Sequence, residues 1–295
     1  MPGYTIDDDP GGVLKNKLGV EAQDDLHRLE ADYVRQREFD LRLHGIQAGN
    51  FDAEHLKALH RHLFQDVYEW AGHTRDEVVH LSDGTFATEP FMHKGGAGFL
   101  PGPRIPAALE QVARSLRDLD YLRGLSREKF AYDAADIMAQ INGIHAFREG
   151  NGRTQRLFIE ELARLAGHAL DFTVVSQERM IEASVAAHER GDPSVMRRLF
   201  DEISNPHRVE ALRTAEEALD RNKFNWNERY IATAEPGHPV ELTMVGIARG
   251  QFMAHTGSQI LIGKTSDLPK PYPDRGETFT FVASAHWWQP EPERG

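Results

Sequence analysis

Residues 145–156 read His-Ala-Phe-Arg-Glu-Gly-Asn-Gly-Arg-Thr-Gln-Arg, just ahead of an apolar helical run. His145 is a base near neutral pH, because an unperturbed imidazole titrates at about 6.5. Glu149 is a hard oxygen ligand suited to Mg²⁺. Gly150 and Gly152 let the backbone turn its N–H groups toward an anion, and a helix beginning there adds the positive end of its dipole. Arg153 and Arg156 carry forked donors that match phosphate oxygens. Together these groups supply most of what transfer from a nucleoside triphosphate requires.

Each residue also has an ordinary reading when taken alone. A Gly-x-Gly is usually a turn, and a His beside Phe147 is commonly a satisfied surface or core histidine. Arg153 and Arg156, at i and i+3, also fit one solvated helix face. Only the contiguous string points to chemistry.

The rest of the chain bounds the setting. Its 295 residues, 40% hydrophobic, suffice for one large or two modest domains with a real core. A net charge of −12 without a basic stripe argues against general nucleic-acid binding. Arg148, Arg153 and Arg156 nevertheless cluster, which suits an anionic nucleotide. The absence of cysteine excludes disulfides, thiolate catalysis and Cys-based zinc sites. The acidic N-terminus lacks an apolar h-region and no apolar run reaches membrane-spanning length, so a cytoplasmic protein without a membrane span is expected.

The patterning predicts which elements position the string. Helical spacing runs from Asn16 to about Leu43, then from an N-cap at Asp52 to Gly72. Asp83-Gly84 between two short β-prone runs predicts a hairpin near 74–87. Helices are expected over 107–122 and 126–144, the latter capped by Ser126 and delivering His145. Another follows the string and closes at Gly167, with two more near 176–190 and 193–203 and a short charged one over 207–224. From Asn225 the composition turns β, with runs at 229–233, 240–248, 259–263 and 277–282. Short strands after helices mean two domains. Trp287 and Trp288 are expected to cap the β domain's core.

The string resembles the Fic signature, His-Pro-Phe-x-(Asp/Glu)-Gly-Asn-Gly-Arg-x-x-Arg, departing from it only at Ala146, where Pro is usual. Leu14-Lys-Asn-Lys-Leu-Gly and Leu63-Phe-Gln-Asp-Val-Tyr-Glu-Trp-Ala-Gly also resemble Fic-domain sequence. Glu178-Arg-Met and Phe200-Asp-Glu-Ile-Ser-Asn-Pro resemble the end of the Fic region in Bartonella-type secretion effectors, which add an OB-fold domain and then a secretion-signal domain. The resemblance therefore implies a mainly α Fic fold, a helical bundle with a β-hairpin flap, followed by a small all-β OB-like domain. The expected boundaries are 1–205 for the Fic domain, 206–224 for a connecting helix and 225–295 for the β domain. The third part of such effectors is not visible in the sequence.

The same resemblance implies a protein adenylyltransferase that moves AMP from ATP, with Mg²⁺, to a Tyr, Thr or Ser hydroxyl. His145 would be the general base and Glu149 the metal ligand. Arg148, Glu149, Gly150, Asn151, Gly152, Arg153 and Arg156 would bind the nucleotide, with Asn151 adding a side-chain donor. Val78, Val79, His80 and Leu81 would form the flap that docks the target by strand addition. Ala146 removes a fixed φ beside the base and is expected to reduce preorganisation. No (Ser/Thr)-x-x-x-Glu-(Gly/Asn) inhibitory helix occurs in the chain, so a small antitoxin-like partner acting in trans is expected. The implied target is a protein such as a host small GTPase. The implied setting is a bacterial cytoplasm, and a host cell where a secretion domain follows. Transfer of another phosphate-containing group and a non-catalytic adaptor remain alternatives. Gly152, where kinase-type relatives carry Lys, argues against the first, and the intact motif against the second.

Overall fold

The computed structural model describes residues 3–7, 9, 11–44, 49–94, 97–237, 239–257 and 259–284. Trp287 and Trp288 lie outside the described residues. Inter-residue contacts divide the chain into two compact units, Met1–Gly124 with Ile137–Gly167, and Leu125–Asp136 with His168–Gly295.

In the first unit the helix expected from Asn16 begins only at Gln23 (α1, Gln23–His44). Asn16 spends its side chain on the preceding loop. Its Oδ1 accepts from the Leu18 and Val20 amides at 3.1 and 3.0 Å, and its amide donates to the Leu14 and Val20 carbonyls. An Asn that satisfies the backbone locally competes with helix formation. Asp52 starts α2 (Ala53–Phe64) as expected, accepting from the His55 amide at 2.9 Å. That helix stops at Phe64, not at Gly72, and gives way to turns. Val67 and Trp70 are still fully buried, so burial persisted where helix did not.

The Asp83-Gly84 hairpin is present as β1 (Val79–His80) and β2 (Phe86–Ala87), with Val79 opposite Ala87. Gly84 sits at φ +82°, and Asp83 accepts from the Thr85 amide at 2.8 Å. A second short hairpin, β3 (His93–Lys94) with β4 (Ala97–Gly98), gave no sequence signal. Then follow α3 (Ile105–Asp118), α4 (Arg127–Ile144) and α5 (Asn151–Ala166), closed by Gly167 at φ +81°. Residues 137–144 of α4 belong to this unit. Its core gathers Leu26, Val34, Leu63, Phe64, Val67, Tyr68, Trp70, Val79 and Leu81. Burial of such side chains, at about 1.5–3 kcal/mol each, holds the short hairpin against the helices.

The second unit holds α6 (Gln177–Glu189), α7 (Ser194–Ile203), α8 (Pro206–Arg221) and a small five-stranded sheet. Ser176 and Asn205 cap α6 and α8 through their side chains. The strands are β5 (Tyr230–Thr233), β6 (Val240–Ala248), β7 (Gln251–Thr256), β8 (Gln259–Lys264) and β9 (Thr278–Phe281), in the order β5-β8-β7-β6-β9. Among these strands β5 pairs with β8 in parallel, and the other pairs are antiparallel. Strand β7 carries little sequence signal, because Gln-Phe-Met-Ala-His-Thr does not alternate and holds a single β-branched residue, yet it pairs on both edges.

Arg179 and Glu202, both fully buried, pair at 2.8 Å in this unit, and Glu202 also accepts the Thr233 amide at 3.1 Å. Glu202→Ala is expected to destabilise the protein by about 3–5 kcal/mol, because it strands a buried guanidinium. Adding Arg179→Met should recover most of that loss. Chemical denaturation of the full chain checks both.

Candidate active site

The motif loop runs between the C-terminal end of α4 and the N-terminal end of α5, and each end imposes its own electrostatics. At the α4 end the last carbonyls lack helical partners and carry the negative pole. Arg75, which is fully buried, fills that need. Its Nε donates to the His145 carbonyl at 2.9 Å, Nη1 to those of Pro90 and Glu89 at 3.0 and 3.3 Å, and Nη2 to those of Leu100 and Ile144. Its backbone amide donates to the Ala146 carbonyl at 2.8 Å. Burial pushes the Arg75 pKa below its ordinary value, and Glu89 and Asp76 oppose that shift.

His145 sits at φ +50°, a left-handed conformation that costs a non-glycine residue of order 1 kcal/mol or more. Arg75 holds it there. The fixed φ that Pro would bring next to the base is absent, and hydrogen bonds to the carbonyls of His145 and Ala146 constrain the backbone instead. Phe99 stacks on the imidazole with centroids 3.8 Å apart and a 12° interplanar angle, setting the plane of the ring. The ring is only partly buried.

Phe147 is buried and stacks on His60 at 3.9 Å, which anchors the loop. Asn151 ties the loop shut. Its Oδ1 accepts from the Phe147 amide at 2.9 Å and its Nδ2 donates to the Phe147 carbonyl at 2.7 Å. The side-chain donor expected from Asn151 for a ligand is therefore engaged within the loop. Gly150 has no tolerated substitute: it sits at φ +80°, and a Cβ would lie 2.4 Å from the Phe64 ring.

At the α5 end no side chain caps the first turn, and Gly152 is exposed. The Arg156 Nη1 lies 3.7 Å from where a Gly152 Cβ would be, so its guanidinium folds back to the helix start. Burial and the nearby Arg153 charge both lower the Arg156 pKa. Two guanidiniums and a helix N-terminus thus concentrate positive charge in an acidic chain. Arg153 donates to Glu30 at 2.5 Å, lies over the Phe64 ring at 4.7 Å, and has Glu149 at 3.7 Å. Glu149 Oε1 also accepts from the Gly150 amide at 2.9 Å. Arg148 pairs with Glu89 at 2.6 Å.

In the flap Val79 and Leu81 are buried while Val78 and His80 are exposed, so only alternate side chains face outward. Among the described residues no cluster of three or more His, Asp or Glu is arranged to hold a metal ion. Glu149 alone suits Mg²⁺ that takes its remaining ligands from phosphate and water. Arg75, Phe99, His60 and Glu30 escaped the sequence reading. They come from separate segments, and no periodicity marks any of them.

Residues 50–163 match the Fic/DOC family model. BepA, a type IV secretion system effector protein, superposes with a TM-score of 0.87 at 33% identity, covering 95% of each chain. The chain belongs to the Fic/DOC family. A protein adenylyltransferase of Bartonella henselae is 34% identical over 92% of this chain, which spans about half (51%) of that relative's length. The Bartonella tribocorum BepC structure with bound AMPPNP is 37% identical, with a TM-score of 0.64 over 68% of this chain and 95% of that one.

His60 ties the site to stability. Its Nδ1 accepts from the Gly72 amide at 2.8 Å, so Nε2 carries the proton given to the Glu149 carbonyl at 3.0 Å. Full burial pushes its pKa from 6.5 down to about 3, and Arg153 adds to that shift. Between those values the unfolded chain binds a proton that the folded chain refuses, so stability is present above pH 6.5 and falls as pH drops. From pH 7 to pH 5 the loss from this ring is expected to be about 2 kcal/mol. Urea unfolding at the two pH values should show that increment in the wild type and not in His60→Gln.

Proposed function

We propose that this chain transfers AMP from ATP to a Tyr, Thr or Ser hydroxyl of a target protein. The observation that carries the reading is the joining of one base to one anion site within a single loop. His145 stands at the α4 end, and the α5 N-terminus with Gly152, Arg153 and Arg156 stands at the other. The adenylyltransferase relatives and the AMPPNP-bound BepC support ATP as the donor.

In this reading the target's hydroxyl oxygen attacks the α-phosphorus, its proton passes to His145, and the bond to the β-phosphate breaks to release pyrophosphate. The α5 amides, in the turn that Gly150 and Gly152 allow, take the phosphate oxygens, and Arg153 and Arg156 reach the more distal ones. Arg148 and Asn151 act at one remove, Arg148 bordering the site and Asn151 keeping the loop closed. Glu149 would hold Mg²⁺ together with phosphate oxygens, and the ion would neutralise charge that develops there. The backbone of Val78–Leu81 would add a target strand, so docking tolerates many sequences.

The domain division 1–205, 206–224 and 225–295, with the last OB-like, belongs to the same proposal. So do a small antitoxin-like inhibitor in trans, a host small GTPase as target, and residence in a bacterial cytoplasm with translocation into a host. Among the described residues no helix is long and apolar enough to cross a membrane.

Mass spectrometry of a lysate incubated with the protein, ATP and Mg²⁺ should find AMP on a hydroxyl side chain. His145→Ala should lower transfer by roughly 10²–10⁴ while ATP binding stays near wild type. Transfer at the wild-type rate in that variant overturns the assignment. Glu149→Gln keeps the side chain's shape and removes its charge. It should raise the Mg²⁺ concentration needed for half-maximal transfer about tenfold or more, and an unchanged requirement would move the ligand elsewhere.

A further inference from the structure

Glu30 lies on α1, outside residues 50–163 matched by the family model, and is 5% exposed. It is held from two sides, by the Tyr68 hydroxyl on Oε2 and by Arg153 on Oε1 at 2.5 Å. The same Arg153 Nη2 has Glu149 Oε1 at 3.7 Å. One guanidinium corner therefore has two carboxylates within reach, and Glu30 has the shorter contact. Glu30, Tyr68, Arg148 and Glu149 also line one cleft of about 180 Å³, so both carboxylates that Arg153 meets border space that a ligand can enter. Stability alone is a poor explanation for a buried ion pair, since well-packed apolar residues do as well or better.

We infer that Glu30 is a positioning residue that takes the closer contact with Arg153 and so weakens the Arg153–Glu149 pair, which eases the exchange of Glu149 onto a nucleotide-bound cation and sets the Arg153 guanidinium for phosphate. The inference rests on the anion-site reading proposed above. Removing Glu30 frees the Arg153 corner to close the 3.7 Å gap onto Glu149. The two charges then neutralise each other, and Mg²⁺ and phosphate must both compete for their ligands. Tyr68 serves the same end at one remove by fixing the second Glu30 oxygen.

The test is equilibrium binding of ATP to the full chain, titrated with Mg²⁺, in wild type, Glu30→Ala, Arg153→Ala and the double variant. Thermal unfolding confirms that each is folded, and Glu30→Gln and Tyr68→Phe serve where Glu30→Ala is not. Glu30→Ala should raise the Mg²⁺ concentration for half-maximal ATP binding about three- to tenfold. It should add nothing further in the Arg153→Ala background, because the effect acts through Arg153. Glu30→Gln and Tyr68→Phe should shift the same way by less. An equal Glu30 effect in both backgrounds means a merely structural role and overturns the inference, as does tighter or unchanged ATP binding in the Glu30 variants. If Arg153→Ala itself leaves ATP binding unchanged, the failure lies instead with the anion-site reading.

Discussion

A buried guanidinium at the end of a helix underlies the arrangement of the motif loop. Arg75 reaches the carbonyls of Ile144, His145, Pro90, Glu89 and Leu100 and donates its own amide to Ala146. The Pro90 oxygen also accepts the Gly102 amide, and a carbonyl left buried without a donor costs about 1–3 kcal/mol. A single side chain with five N–H groups settles these carbonyls together and sets a positive charge at the negative pole of α4. The same contacts keep His145 at its positive φ, so its backbone is held by a fully buried side chain from another segment.

The opposite pole, at the start of α5, follows a reverse logic. The uncapped first turn, Gly152 without a Cβ and the folded-back Arg156 accumulate positive potential that an anion can discharge. Carboxylates are kept at graded distances from it. Glu30 pairs with Arg153 at 2.5 Å, Glu89 with Arg148 at 2.6 Å, and Glu149 reaches Arg153 only at 3.7 Å. In a chain with net charge −12 the local sign is therefore set by which acids reach which bases. Neutral His60, buried against Phe147, adds a hydrogen bond to the Glu149 carbonyl without adding a charge.

Composition and contact mark different boundaries in this protein. The amino-acid usage turns from helical to β near residue 225, whereas the contacts change at 124–137 and again at 167. In the second unit, α6 and α8 lie against the sheet, and buried charge joins α7 to it. Glu202 on α7 takes both the Arg179 guanidinium and the Thr233 amide. Composition reports what each segment forms locally, and a unit is defined by what its segments bury together.

The sequence by itself determined the motif, the family and most helices, because these depend on short-range information. His145, Glu149, Gly150, Gly152, Arg153 and Arg156 fall within twelve positions, Asp52 and Asn205 cap their own helices, and Asp83-Gly84 makes its own turn. Where local chemistry competes with periodicity, the chain follows the local chemistry. Asn16 bonded its own loop and delayed α1, and β7 formed because strands on both sides bound it. Only the tertiary structure decided what surrounds the motif. Arg75 meets His145 across 70 positions, Glu30 meets Arg153 across 123, and His60 meets Glu149 across 89. Such pairings leave no periodic trace, because they depend on where folding brings buried donors and acceptors together once water is excluded.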